Sequence, residues 1–193
     1  DLTVLHNISV ETGRVLYDHG LIKEREGFIE YFSAIRKRSQ NKFIYSPGSR
    51  LRDHHAYPGG LVYHTAANIE IALGIADVYR RIYGLQIDRD LLVIALAFHD
   101  IAKVPLLSWD NRGTYPDEYK IAGTEAHHIL SLSEAILKGF PFPVIKGMAF
   151  CHVSFETPEK ELEKYLLAAY LIIGESTPPD YTLEPQVEDL ICL

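Results

Sequence analysis

The most chemically loaded stretch of this chain is Phe98-His99-Asp100-Ile101-Ala102-Lys103, which closes an otherwise apolar run from Leu91 to Ala97. A buried helix with no task seldom ends in an imidazole, a carboxylate and an ammonium. Taking these groups out of water is costly unless they are paired or hold an ion. Neighbouring helical side chains project about 100° apart, so His99 and Asp100 could grip one metal from adjacent directions. Lys103, four residues after His99, falls on roughly the same face one turn on. The plainer alternative is a helix C-terminus with a cation near its dipole and Pro105 as the stop.

Further histidines stand at helical positions. His64 lies in the first turns of an expected helix over 60–83, and Cys151-His152 closes one over 143–153. His127 and His128 lie on a helix that Thr124 would cap and Gly139 would end. Its wheel sets His127 with Ser131, Glu134 and Lys138 on a polar side, and His128 with Leu132, Ala135 and Ile136 on an apolar one. His128 is therefore the candidate ligand, and His127 is expected in solvent. Singly, each histidine is more readily structural, and His6 and His19 read as surface or capping residues. The ordered set His64, His99, Asp100, His128 and His152, drawn from four successive helices, has the dispersal of a metal site in a bundle core. Imidazole and carboxylate suit one or two ions of iron, manganese, nickel or zinc, and the set lacks the thiolates of a structural zinc site.

The elements that must position these groups read as helices throughout. Periodicity predicts a short helix over about 8–18 and an amphipathic one over 22–39. The helix over 60–83 has Gly84 as its C′ residue, and one over 89–103 has Asp88 as N-cap. Pro143 opens the helix over 143–153, and Thr157-Pro158 opens a last long one running through Ile173. The segment 104–123 reads as a loop that could overhang the site, and the acidic tail from Glu175 as loop with one short helix. No segment shows strand alternation with hairpin turns. The fold class is all-α, a helical bundle in one domain over 1–193.

The bulk numbers agree with a soluble globular chain. It has 193 residues, 47% hydrophobic and 23% charged, with a formal net charge of −7. That balance argues against stable nucleic-acid binding of the phosphate-coating kind. Two cysteines, Cys151 and Cys192, point to a reducing compartment, and with no visible signal pattern or membrane-length apolar run the expectation is a cytoplasmic protein without membrane contact. The connection 40–60 is long enough to be functional. Six basic residues from Arg36 to Arg52, without an acidic one, suggest either a solvated helix end and loop or a basic lip, including Arg50 and Arg52, that draws in an anionic substrate.

These pieces resemble the HD-domain superfamily of metal-dependent phosphohydrolases. The matching segments are Gly59-Gly60-Leu61-Val62-Tyr63-His64-Thr65, His99-Asp100 followed by Ile101-Ala102-Lys103, Ala126-His127-His128-Ile129-Leu130, and Cys151-His152, within a core of about 54–175. The resemblance implies that His64, His99 and Asp100 hold a metal, with Asp100 bridging to a second held by His128 and His152. It places Lys103 beside the metals against substrate phosphate, and His54 and His55 at the cleft wall. It also exposes a departure. Members usually close the ligand set with an aspartate in the last core helix, where this chain has Tyr170. A neutral phenol is a poor ligand. Its presence would weaken the metal, open a coordination position, shift reactivity or mark a degenerate site.

The implied chemistry is hydrolysis of a nucleotide or other small phosphate ester by metal-activated water. Asp100 would orient the nucleophile, and Lys103 would neutralise phosphoryl charge. Two alternatives share the scaffold: a catalytically degenerate metal- or ligand-binding regulatory module, and a di-iron oxygenase of the inositol-oxygenase type. Oligomeric state is not legible from the sequence.

Overall fold

A computed structural model describes residues 2–39, 41–154, 158–175 and 191. Among these, the elements run α1 (Val10–Asp18), α2 (Arg25–Arg36), α3 (Gly60–Tyr83), α4 (Arg89–Phe98), α5 (Lys103–Leu106), β1 (Lys120–Ile121), β2 (Thr124–Glu125), α6 (Ala126–Leu137), α7 (Phe142–Phe150) and α8 (Pro158–Ile172), with 3₁₀ turns at Thr3–His6 and Phe43–Tyr45. The all-α bundle is as expected, with a two-residue antiparallel hairpin, Lys120 opposite Glu125, as its strand content. The expected tail lies outside the described residues apart from Glu175 and Ile191, as does Thr157.

Local chemistry sets most boundaries. The Asp88 carboxylate accepts from the Leu91 amide at 3.0 Å and opens α4. Gly84, at φ 69°, closes α3 by donating its amide to the Arg80 carbonyl. The helix expected over 89–103 is shorter, because α4 ends at Phe98. The Ile101, Lys103 and Val104 amides donate to carbonyls three residues back, a tightening that winds the chain from α4 into α5. Pro105 is a buried member of α5 rather than a stop. The buried Ala102 amide donates to Ser131 Oγ, tying this turn to α6.

The core gathers Phe28 and Phe32 from α2, Leu92 and Leu96 from α4, Ile129 and Leu130 from α6, Phe150 from α7 and Leu162 and Leu166 from α8. Helix α6 runs through it, packed by α7, α8 and the N-terminal 3₁₀ turn. Its polar residues are buried too. Glu134 accepts from the Val4 amide at 2.7 Å, Ser133 donates to the Ile129 carbonyl, and Ser131 meets Ala102. A helix buried on every side has no solvent face.

The connection ahead of α3 is clamped. Gly48 and Leu61 amides donate to the His55 and Ser46 carbonyls. A Cβ on Gly60 would lie 1.8 Å from the His55 carbonyl oxygen, so only glycine lets this backbone approach occur. His55 itself has φ 58°, a region a β-carbon disfavours.

Candidate metal centre

Asp100 is the hub. It is buried in the turn between α4 and α5, and both oxygens face side chains from other elements. Oδ2 lies 2.6 Å from Lys103 Nζ, 3.1 Å from His64 Nε2 and 3.2 Å from His99 Nε2. Oδ1 lies 3.1 Å from His127 Nε2 and 3.6 Å from His152 Nε2. Two groups therefore share this carboxylate: His64 and His99 on one side, and His127, His128 and His152 on the other.

The chain orients the His99, His127 and His128 rings from behind, and meets His64 at the nitrogen that faces Asp100. His99 Nδ1 donates to the Leu96 carbonyl at 2.8 Å, turning Nε2 inward. The Asn68 amide, one turn along α3, donates to His64 Nε2 at 3.1 Å. Glu118 accepts from the backbone amide of His127 at 2.9 Å and from its Nδ1 at 2.7 Å, leaving Nε2 aimed at Asp100. The Thr124 hydroxyl bonds His128 Nδ1, and the His128 ring stacks on His152 with centroids 3.3 Å apart. A carboxylate behind an imidazole is the arrangement that fixes a metal-binding tautomer. Lys103 Nζ also donates to the Gly48 carbonyl at 2.7 Å, joining the clamped connection to the hub.

Charge follows from this packing. Burial pushes the Asp100 carboxyl up, but His99 and Lys103, helped by His127 and His64, overcome it and hold it well below the usual carboxylate range. Burial drives His128 and His152 well below the ordinary imidazole value; facing imidazoles add to this and Asp100 opposes it. Burial acts the same way on His127, but the Glu118 and Asp100 carboxylates together outweigh it and raise that ring. Three buried atoms at the centre, Asp100 Oδ1, His127 Nε2 and His152 Nε2, make no well-aligned hydrogen bond, although Oδ1 and His127 Nε2 lie 3.1 Å apart. Such orphans are costly unless something else satisfies them. A carboxylate oxygen and imidazole nitrogens converging this closely fit a divalent transition ion, so the cluster could bind a metal.

The structure places His64, His99, Asp100, Lys103, His128 and His152 around one cavity of about 710 Å³ that His54 and Arg50 also line. His55 sits off the cavity wall, its ring 5.5 Å from that of His64. Arg52 is exposed at φ 76° and does not reach the cavity. The lip is less basic than expected. Arg50 is held by Asp53 at 3.2 Å and Glu125 at 3.5 Å, while Arg36 turns inward to the Ile8 carbonyl at 2.7 Å. His127 requires a correction: it is 5% exposed and faces Asp100, because the side of α6 read as polar is packed. Glu118 was missed altogether. It comes from the expected loop 104–123, whose Trp109 and Tyr115 anchor on the Tyr45 and Ser49 carbonyls. No helical spacing marks it. Tyr170 is buried in α8 and does not line the cavity.

No protein-family model matches the chain, and no solved structure does. Curated relatives do. A dihydroneopterin 2′,3′-cyclic phosphate phosphodiesterase of Methanocaldococcus jannaschii is 34% identical over 115 residues, covering 59% of this chain and 45% of its own. A 3′-5′ exoribonuclease YhaM of Bacillus licheniformis is 30% identical over 145 residues, covering 75% of this chain and 38% of its own. The YhaM of Bacillus subtilis is 31% identical over 99 residues, 51% of this chain and 30% of its own. The chain thus spans less than half the length of these relatives. All are named as hydrolases of phosphoric esters. Because two are named exoribonucleases, the expectation of no stable nucleic-acid binding gains no support. Among the described residues, no helix is long and apolar enough to cross a membrane.

Proposed function

We propose that this chain is a metal-dependent phosphohydrolase of the HD superfamily acting on a small phosphate ester, nucleotide-like in size, and working in the cytoplasm. The observation that carries the reading is the convergence of three buried ligand atoms, Asp100 Oδ1, His127 Nε2 and His152 Nε2, none of which makes a well-aligned hydrogen bond. His64, His99 and Asp100 would hold one divalent ion. Asp100, His127, His128 and His152 would hold a second. Bound there, an ion lowers the pKa of water toward neutrality and neutralises phosphoryl charge.

The chain's own groups supply the rest. Asp100 is ionised and spans both positions, so it orients the attacking water in line with the scissile bond. Lys103, held by Asp100 and the Gly48 carbonyl, offers its remaining proton to a phosphoryl oxygen. Glu118 keeps the His127 ring in one orientation. His54 and Arg50 stand at the mouth, where a substrate anion enters. His55, behind His64, would act through the clamped connection. Arg52 keeps only a long-range electrostatic part.

The regulatory-module reading keeps its ground, the missing α8 carboxylate, and is separated from this one by whether bound phosphate esters are turned over. Nothing favours the oxygenase. The test is elemental analysis of purified protein beside Asp100→Ala, followed by a phosphate-ester screen with the metal found. Stoichiometric metal and ester hydrolysis, both lost in the variant, are expected. Wild-type protein that binds metal and cleaves no ester would sink the reading.

A further inference from the structure

The cavity over Asp100 has two kinds of wall. Beyond Asn68, α3 presents Ile71, Ala72 and Ile75, and α4 adds Leu96 beneath them. Ala72 and Leu96 are buried, but Ile71 is 62% and Ile75 36% exposed. These four side chains offer no hydrogen bond and no charge. Isoleucines left wet beside a ligand cluster, in one contiguous cavity, are what a binding wall for an apolar group looks like. Elsewhere in the lining, Arg50 is matched by Asp53 and Glu125. A polynucleotide needs cations to neutralise successive phosphates along its path, and this lining does not provide an excess of them.

We propose that the α3–α4 wall seats the non-phosphate body of a monomeric phosphate ester, an apolar ring system of nucleoside size, while its phosphate lies over Asp100 and Lys103. The inference rests on the phosphohydrolase reading and assigns its substrate class. Ile71 and Ile75 select that body, and their contribution is to KM. Both are exposed, so polar replacements leave the core intact.

A nucleoside 2′,3′-cyclic phosphate and glycerol 1,2-cyclic phosphate carry the same cyclic ester on different bodies. Metal-replete wild-type protein is expected to favour the nucleoside ester by about tenfold or more in kcat/KM. The double variant Ile71→Asn, Ile75→Asn is expected to bring that ratio toward one by raising KM for the nucleoside ester. A wild-type ratio near one, or a variant that lowers kcat alike for both, overturns the proposal. So does a labelled oligoribonucleotide shortened as efficiently as the small ester. If wild-type protein cleaves neither ester, the phosphohydrolase reading is left to the ester screen, and calorimetry decides the wall separately. Tighter binding of a nucleoside 2′-monophosphate than of inorganic phosphate, lost in the double variant, supports the wall; equal binding overturns it.

Discussion

The two oxygens of Asp100 face differently built halves of one site. On the Oδ2 side the chain supplies its own cation. Lys103 Nζ sits 2.6 Å away, and the Asn68 amide already occupies His64 Nε2. On the Oδ1 side the supports lie behind the rings, in Glu118, Thr124 and the His128–His152 stack, and the front is left unsatisfied. An ion entering the first half must share Asp100 with an ammonium. An ion entering the second fills a place whose ligands are already oriented. Ligand count, four residues against three, and preorganisation both favour the Oδ1 half, which is expected to hold its ion more tightly.

That comparison can be broken in several ways. Asp100→Ala removes the shared ligand and is expected to empty both halves and take hydrolysis to the assay floor; metal retained at wild-type stoichiometry would show that the halves do not depend on it. Lys103→Met should lower kcat by about a hundredfold while leaving metal affinity equal or greater, since the competing cation is gone. Weaker metal binding in that variant would make Lys103 a support rather than a competitor. Glu118→Gln should weaken only the tighter ion, by about 10–100-fold, as read by competition with a chelator. An unchanged titration would remove Glu118 from the Oδ1 half.

The smallest effect concerns pH in the metal-free protein. His128 and His152 are held neutral when folded, whereas unfolded they titrate near the ordinary value of about 6.5. Below that pH the unfolded state binds protons the native state refuses, so stability falls as pH drops. His127 runs the other way: Glu118 raises its pKa, and its contribution is present in acid and fades as pH rises through the folded value. The urea midpoint should be lower at about pH 5.5 than at about pH 7.5, and His127→Gln should widen the gap. A gap that narrows in this variant would contradict the opposing assignments.

How much of this was legible before the structure differs from element to element. The spacing over 60–83 and the Asp88 cap gave α3 and the start of α4, because capping and periodicity are local. The end of α4 was not legible. The turn at 99–102 depends on Ser131, far along the chain. His127 was misjudged for a related reason. Its neighbours Ser131 and Glu134 look solvated on a wheel, and become core only because Ala102 and Val4 amides meet them.

By itself the sequence determined a helical bundle, the adjacent His99-Asp100 pair and the histidines that could join it, since residue type and local periodicity carry that information. Only the tertiary structure decided which histidines face Asp100, that a loop carboxylate backs one of them, and that Tyr170 stays out of the cavity. Those facts depend on contacts between residues distant in the chain, and the burial of α6 on every side exists only once its neighbours have packed around it.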